Sequence, residues 1–312
     1  MSSRPMDWEN VLNEIDSIIQ PSRGQGRVAD YIPALATVDP MKFGLAVALG
    51  DGNVHTLGDA DEYFSIQSIS KVFTLSMVLR KVGDELWESV GREPSGSPFN
   101  SIVQLELEGG IPRNPLINAG AIVVTDHLVQ QQGADATIAE LIERMRTLAS
   151  DSAIHVDQAV AYSESEAGSR NRALAYFLKS FGNLRSPVEE TLKAYFSHCA
   201  IAMNCRQLAR AALFLAFDGT DPISGIQMVS SKACRRVNAV MMTCGHYDNS
   251  GDFTYRIGLP GKSGVGGGIL VVAPGNGAIA VWSPGLNEAG TSEVGSLALE
   301  TLVRQTGWSV FV

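Results

Sequence analysis

The sequence is poor in charged residues. Only 18% of its 312 residues are Asp, Glu, Lys or Arg, whereas an average globular domain has about a quarter. Intrinsic disorder and a coiled coil both require far more charge, so neither is the main class. The net charge is −9. A general nucleic-acid binder is therefore not expected, because phosphate contacts need a basic surface.

Cysteine is scarce as well, with four residues: Cys199, Cys205, Cys234 and Cys244. They form no CxxC pair, so a zinc cage is not expected, and they are too few for a disulfide scaffold. Reduced thiols in a cytoplasmic protein are the simpler expectation. No apolar run reaches about 18 residues, and the first residues lack the apolar core of a signal peptide. The sequence thus predicts no membrane span, no metal and no cofactor.

Helix and strand patterns alternate along a chain that is 45% hydrophobic. Gly50-Asp51-Gly52 joins the first two strand-like runs and is a hairpin signal. The strand-like runs lie at 42–49, 53–57, 253–258, 267–273 and 277–283. Helical spacing of apolar residues predicts helices near 7–19, 68–82, 119–131, 137–149, 170–180, 188–199, 204–217, 230–243 and 292–306.

Strands at both ends of the chain and helices in the middle predict an α+β fold. The short connections favour an antiparallel sheet, because parallel strands need crossovers. We expect a five-stranded antiparallel sheet flanked by helices, built from about 25–67 and 230–312. An all-helical lobe over about 68–229 would be inserted, within a single domain over 1–312. A cleft between the two lobes would be a natural ligand site.

Ser68-Ile69-Ser70-Lys71 is the first candidate for chemistry. If a helix begins here, Ser68 and Lys71 lie on one face. A lysine whose pKa is lowered by apolar neighbours such as Phe64 and Phe73 can accept a proton from a serine hydroxyl. Ser-x-x-Lys is common, however. On its own it more often marks a helix cap followed by a solvated lysine.

Lys262-Ser263-Gly264 is the second candidate, because it leads into a predicted strand. Together with Ser-x-x-Lys, a Lys-Ser/Thr-Gly motif is typical of the penicillin-recognising serine enzymes. A phosphate-binding loop is the alternative interpretation of the same segment. It is rejected because Arg256 stands where that motif needs its first glycine.

Six segments distributed over roughly residues 25–310 closely resemble the serine-dependent glutaminases, which hydrolyse L-glutamine to L-glutamate and ammonia. In chain order these segments are FSIQSISK, NPLINAGAI, SESEAGSRN, AYFSHCAI, CGHYDNSG and GLPGKSGVGGG. The resemblance implies a β-lactamase/penicillin-binding-protein-like fold that forms a single glutaminase catalytic domain. It also implies L-glutamine as the small-molecule partner and a homodimer or homotetramer.

The resemblance further implies roles for individual residues. Ser68 matches the nucleophile, Lys71 its base partner, and Tyr247 the tyrosine that helps to protonate the leaving ammonia. The other matched positions surround these three. They are Asn118, Glu164, Asn171 and Tyr195 at the substrate's amino-acid end, Val265 at the oxyanion hole, Tyr31 and Gln67 near the entrance, Ser163 and Ser263 beside the site, and Lys262 as a second cation across it.

Two other functions stay open at this point. A penicillin-recognising hydrolase, either a β-lactamase or an esterase, shares the two lysine motifs. That function gives Glu164 no role, and the Ser-Asp-Asn motif of β-lactamases is missing at its usual place. A non-catalytic amino-acid sensor could use the same pocket, but it would not need to keep Ser68, Lys71 and Tyr247 together.

Overall fold

A computed structural model describes residues 6–96 and 100–311. The helices are α1 Trp8–Ile19, α2 Ser70–Val82, α3 Ile102–Leu107, α4 Asn118–Gln132, α5 Ala134–Ala149, α6 Gln158–Ala167, α7 Ser169–Ser180, α8 Val188–Cys199, α9 Cys205–Ala211, α10 Leu213–Ala216, α11 Ser231–Cys244, α12 Ser250–Ile257 and α13 Glu293–Thr306. The strands are β1 Gly44–Leu49, β2 Val54–Gly58, β3 Phe64–Ser65, β4 His155–Val156, β5 Ile201–Met203, β6 Gly261–Ser263, β7 Gly268–Ala273 and β8 Gly277–Trp282.

Five strands form one sheet in the order β2-β1-β8-β7-β6. Every neighbouring pair is antiparallel, as the short connections predicted. The strands come from both ends of the chain, and mostly helical structure lies between them in sequence. The α+β class and the five-stranded antiparallel sheet are therefore confirmed.

Both faces of this sheet are buried. Leu45 and Val47 of β1 pack with α1 and α13 on one face. Ala46 and Ala48 point the opposite way, into a larger cluster that contains α2, α9 and α11. This opposition follows from the two-residue period of a strand. Alanine leaves room on the second face, where α9 packs closely against β1 and β8.

One predicted strand is wrong. Residues 253–258 fall mostly in helix α12, and the fifth strand of the sheet is β6, just after it. Aromatic and β-branched residues favoured a strand over this stretch. However, Phe253 and Ile257 are buried while Tyr255 is 90% exposed, which is the spacing of a helix and excludes an alternating strand. Ser250 opens the helix, and its hydroxyl donates to the Tyr247 carbonyl at 2.8 Å.

The predicted helices are observed with shifts of a few residues, except that 204–217 divides into α9 and α10. The region 68–229 also contains β4 and β5, which form a small antiparallel sheet with β3 in the order β3-β5-β4. Ser65 pairs with Ala202 in that sheet. The chain just before Ser68 is thereby joined to the chain just after α8. In the described residues, no helix is long and apolar enough to cross a membrane.

Candidate active site

A cavity of about 330 Å³ lies beside Ser68. Nine of the residues predicted at the site line it: Tyr31, Gln67, Ser68, Asn118, Glu164, Asn171, Tyr195, Tyr247 and Val265. These positions are spread over more than 230 residues of sequence, and the fold brings them to one place. A second cavity of about 520 Å³, next to Leu215, Cys234 and Phe311, contains none of them.

Ser68 lies in a single 3₁₀ turn, Gln67–Ile69, directly before α2. Its hydroxyl is hydrogen-bonded to the hydroxyl of Tyr247. Gln67 and Tyr247 both have left-handed backbone conformations, with φ of 50° and 56°. Residues other than glycine adopt this region only at an energetic cost, and such strain concentrates at functional sites.

Lys71 lies beneath the cavity floor and is 1% exposed. Its Nζ donates to Asn118 Oδ1 at 2.8 Å and to the Leu116 carbonyl at 3.2 Å. Burial lowers the pKa of Lys71 to about 8, although Cys199 and Glu164 oppose this change. A useful fraction of this amine is therefore neutral near pH 8, as a proton acceptor requires.

Lys262 is also fully buried and lies near the same Tyr247 ring as Lys71. Its Nζ is 4.3 Å from the centroid of that ring, and the Lys71 Nζ is 5.9 Å from it. Burial and the nearby Lys71 ammonium hold the pKa of Lys262 well below its usual range. Burial also raises the pKa of the Tyr247 hydroxyl, which therefore stays protonated unless a base accepts its proton.

Glu164 is the one acidic residue among the residues that line the cavity in the described chain. It is 8% exposed, and burial raises its pKa to about 7 against the effects of Gln67 and Lys71. Gln67 is hydrogen-bonded to the Glu164 carboxyl, and the Gln67 amide donates to Ser65 Oγ at 2.9 Å. Asn118 Nδ2 donates to Asn171 Oδ1 at 2.9 Å. The cavity lining thus combines one acid with two amides.

Val265 lies in the turn between β6 and β7, which is packed tightly against the chain that precedes Ser68. A Cβ on Gly264 would be 2.5 Å from the Ile66 carbonyl oxygen, and one on Gly266 would be 2.4 Å from the Ser65 carbonyl oxygen. Only glycine permits this approach. In residues 6–96 and 100–311, no hydrogen bond uses the backbone N–H of Ser68 or Val265 as its donor. The two groups are available as a pair of oxyanion donors.

Besides Lys71, three predicted positions lie near the cavity without lining it. Lys262 and Ser263 are buried in β6, and the Lys262 Nζ donates to the Ser263 carbonyl at 2.6 Å. Ser263 Oγ donates to the Gly245 carbonyl at 3.4 Å. Ser163 Oγ accepts from the Ala34 N–H at 3.4 Å, which connects α6 to the segment that contains Tyr31.

The sequence prediction missed some residues that line the cavity: Ile32, Asn100, Ala167, Gly168, Arg170 and Cys199. Helical spacing could have identified three of them. Cys199 lies one turn after Tyr195 on α8, and Ala167 and Gly168 lie one turn after Glu164 at the end of α6. Within the described residues, no cluster of His, Cys, Asp or Glu side chains could hold a metal ion.

The family model described as Glutaminase matches residues 26–311. The chain belongs to the glutaminase family. Proteins named glutaminase from Rhizobium rhizogenes and Sinorhizobium fredii are each 58% identical to this glutaminase-family chain over 98% of its length. The matches cover 99% and 98% of their own lengths.

Solved structures of glutaminases show the same fold. A structure described as the probable glutaminase YbaS is 37% identical, with a TM-score of 0.90 over 97% of this chain and 98% of its own. The probable glutaminase from Bacillus subtilis, complexed with 6-diazo-5-oxo-L-norleucine, is 31% identical, with a TM-score of 0.87 over 100% of this chain and 98% of its own. The predicted family and its β-lactamase-like fold are confirmed.

Proposed function

We propose that this protein hydrolyses L-glutamine to L-glutamate and ammonia through a γ-glutamyl ester on Ser68. One observation carries the proposal. A serine hydroxyl bonded to Tyr247 lies close to a buried lysine of lowered pKa, in a cavity that is also lined by one acid and two amides. The first half of this arrangement suits the cleavage of an unactivated carboxamide. The second half suits the amino-acid end of the substrate.

The first step is acylation. Neutral Lys71 takes the proton of the Ser68 hydroxyl, directly or through Tyr247, while the oxygen attacks the carboxamide carbon. The oxyanion is stabilised by the N–H groups of Ser68 and Val265. The carbon–nitrogen bond then breaks, and the leaving nitrogen takes a proton from the Tyr247 hydroxyl, which recovers one from the Lys71 ammonium. Ammonia departs, and the ester remains on Ser68.

The second step reverses these roles. Water enters where ammonia left and gives a proton to the same base as it attacks the ester carbon. The tetrahedral intermediate collapses, the carbon–oxygen bond to Ser68 breaks, and Ser68 recovers its proton. Glutamate leaves, and Lys71 is neutral again. No redox partner or cofactor is needed to balance the reaction.

Selectivity comes from holding both ends of the substrate. The Glu164 carboxylate pairs with the substrate ammonium, while Asn118, Asn171 and the Tyr195 hydroxyl hold its carboxylate. Asparagine is one methylene shorter, which alone discriminates by only ~1–3 kcal/mol. With both ends fixed, asparagine could not bring its amide carbon to Ser68, so its hydrolysis should be far slower.

Ammonia and glutamate release from purified protein tests the proposal. Turnover of glutamine, with little or none of asparagine or of the chromogenic β-lactam nitrocefin, is the expected result. Nitrocefin hydrolysis without glutamine turnover would support a penicillin-recognising hydrolase. Glutamine binding without ammonia release would support a sensor. Either result would overturn the proposed function.

We also propose that the catalytic unit is a homodimer or homotetramer located in the cytoplasm, with 1–312 acting as one catalytic domain. The low content of charged residues is compatible with a buried subunit interface. Light scattering coupled to size exclusion would give the mass in solution. A monomer at the concentration used for the activity assay would contradict the oligomer.

A further inference from the structure

His198 connects the two helices that carry the candidate active site. It is buried on α8, with 2% of its surface exposed. Its Nδ1 is 2.7 Å from Ser70 Oγ on α2, and its Nε2 is 3.1 Å from Thr125 Oγ1 on α4. Ser70 is two residues after Ser68, and α4 begins at Asn118. The imidazole does not line the cavity.

The side chains around His198 have one hydrogen fewer than they have close hydrogen-bond contacts. Ser70 Oγ is also 2.7 Å from the Gln67 carbonyl oxygen, and Thr125 Oγ1 is 2.8 Å from the Ala121 carbonyl oxygen. Burial and the positive charge of Lys71 lower the pKa of His198 to about 3, so the ring is neutral and has one N–H. Four contacts of 3.1 Å or less therefore share three hydrogens, and the weaker contact of the Cys199 Sγ with Nδ1, at 3.9 Å, has its own hydrogen.

The two tautomers of His198 differ in which backbone bond they give up. With the hydrogen on Nδ1, His198 donates to Ser70, Ser70 donates to the Gln67 carbonyl, and Thr125 donates to Nε2. The bond given up is then the one to Ala121, a helix carbonyl that has its own amide partner. With the hydrogen on Nε2, the Ser70 bond to the strained Gln67 is lost. The first tautomer preserves the turn that carries Ser68.

Other contacts hold the same turn against the same part of the chain. Ser65 Oγ donates to the Cys199 carbonyl at 3.0 Å, and the Ile66 N–H donates to the Ile201 carbonyl at 2.9 Å. These bonds lie before Ser68, whereas the Ser70–His198 bond lies after it. Hydrogen bonds therefore hold the turn both before and after Ser68, and the one after it depends on the His198 side chain.

We propose that His198 is a positioning residue, which acts through Ser70 to hold the Ser68 hydroxyl in its reactive orientation. For glutamine turnover this role rests on the proposed function. The orientation of Ser68 can nevertheless be measured without glutamine, through the rate at which a fluorophosphonate reagent modifies it. Intact-mass spectrometry follows that reaction, with Ser68→Ala as the unreactive reference.

The experiment compares variants that keep different halves of the imidazole. His198→Leu removes both contacts. In His198→Asn the amide reaches the position of Nδ1 and preserves the Ser70 contact, whereas in His198→Gln it reaches the position of Nε2 and preserves the Thr125 contact. Ser76→Ala is the matched control. Ser76 is buried on α2, and its Oγ donates to the Val72 carbonyl at 2.8 Å without contacting His198.

We expect His198→Leu to slow fluorophosphonate labelling and glutamine kcat by about 10- to 100-fold, as small displacements of reacting groups do, with KM within about twofold. The Asn variant should lose less than the Leu variant, and the Gln variant should lose about as much. Ser70→Ala combined with His198→Leu should be no slower than His198→Leu alone. Ser76→Ala should behave like the wild type.

Several outcomes would overturn the inference. They are wild-type labelling in His198→Leu, equal losses in the Asn, Gln and Leu variants, an equal loss in Ser76→Ala, or a wild type that the reagent does not modify. If the Leu variant does not fold, the order of the Asn and Gln variants decides. Absence of glutamine turnover in a wild type that is labelled at Ser68 would overturn the proposed function alone. The labelling rates would still decide the role of His198.

Discussion

Replacing Glu164 by Gln should weaken substrate binding and stabilise the protein at the same time. The side chain is nearly fully buried, and burial raises its pKa from the ordinary 4.5 to about 7. A carboxylate held in such a place destabilises the fold unless a cation is bound beside it. In the proposed function, the substrate ammonium is that cation. Glutamine at this position keeps the shape and one hydrogen-bond acceptor but has no charge.

The stability effect has a definite sign. Because the pKa of Glu164 is higher in the folded protein, the stability that this group contributes is fully present below about pH 4.5 and is lost as pH rises through about 7. The difference between these two pKa values corresponds to roughly 3 kcal/mol. Between about pH 4 and pH 8.5, the advantage of Glu164→Gln over wild type in free energy of unfolding should grow by that amount.

The binding effect has the opposite sign. Loss of a buried charge partner for the substrate ammonium is worth at least about 2 kcal/mol, so KM should rise about 30-fold or more, with a smaller change in kcat. In the wild type, KM should fall about tenfold from pH 6 to pH 8, because the ionised fraction of Glu164 rises from about one tenth to about nine tenths. In the variant, KM should not show this decrease.

Urea unfolding at the two pH values and a glutamate-release assay at each pH measure both effects. Glu166→Gln is the control, because Glu166 is an exposed acid on the same helix. A wild-type KM that stays constant from pH 6 to pH 8, together with an unchanged KM in Glu164→Gln, would show that Glu164 is not the ammonium partner. If Glu164→Gln did not raise the free energy of unfolding at high pH, burial of the Glu164 carboxylate would not destabilise the fold.

Three further predictions concern the chemistry. The kcat of the wild type should rise as pH increases through about 8, where buried Lys71 loses its proton. Lys71→Arg should be almost inactive, because a guanidinium keeps its proton. A constant kcat from pH 6 to 10, or an active Arg variant, would exclude Lys71 as the base. Tyr247→Phe should lower kcat by at least about 100-fold, with little change in KM, since it removes one proton donor and keeps the ring; a raised KM at unchanged kcat would assign Tyr247 to binding instead. Asn118→Ala and Asn171→Ala should raise KM, as steady-state kinetics would show. The Asn118 variant should also shift the pH dependence of kcat, because the Asn118 Oδ1 accepts a hydrogen bond from the Lys71 Nζ at 2.8 Å. A KM unchanged in both variants would place the substrate carboxylate elsewhere.

The part of the site that short motifs encode could be predicted from sequence. Ser68 and Lys71 are three residues apart at the start of a helix, so their proximity follows from local geometry. The apolar residues around them also predicted the burial that lowers the pKa of Lys71. The remaining site residues were assigned from whole segments that resemble one family. Their place in one cavity depends on tertiary packing, which spacing alone does not encode.

The misassigned segments have physical reasons. Residues 253–258 contain residue types that are common in strands, which predict a strand. The positions that are buried have the spacing of a helix, and burial is known only from the structure. Helical spacing of apolar residues predicts no helix over α6, because its buried side chains are only Val160 and Glu164. The contact between Ser70 and His198 joins residues 128 apart in sequence. No local pattern signals such a pair.

The direct test of the mechanism is to identify the residue that becomes acylated. Wild-type protein is mixed with glutamine, quenched in acid within one turnover and digested, and the peptides are examined by mass spectrometry. A parallel sample is treated with 6-diazo-5-oxo-L-norleucine. The mechanism predicts a glutamyl ester and a covalent inhibitor adduct, both on Ser68 and both missing in Ser68→Ala. Modification of another residue, or full glutamine turnover in Ser68→Ala, would contradict it.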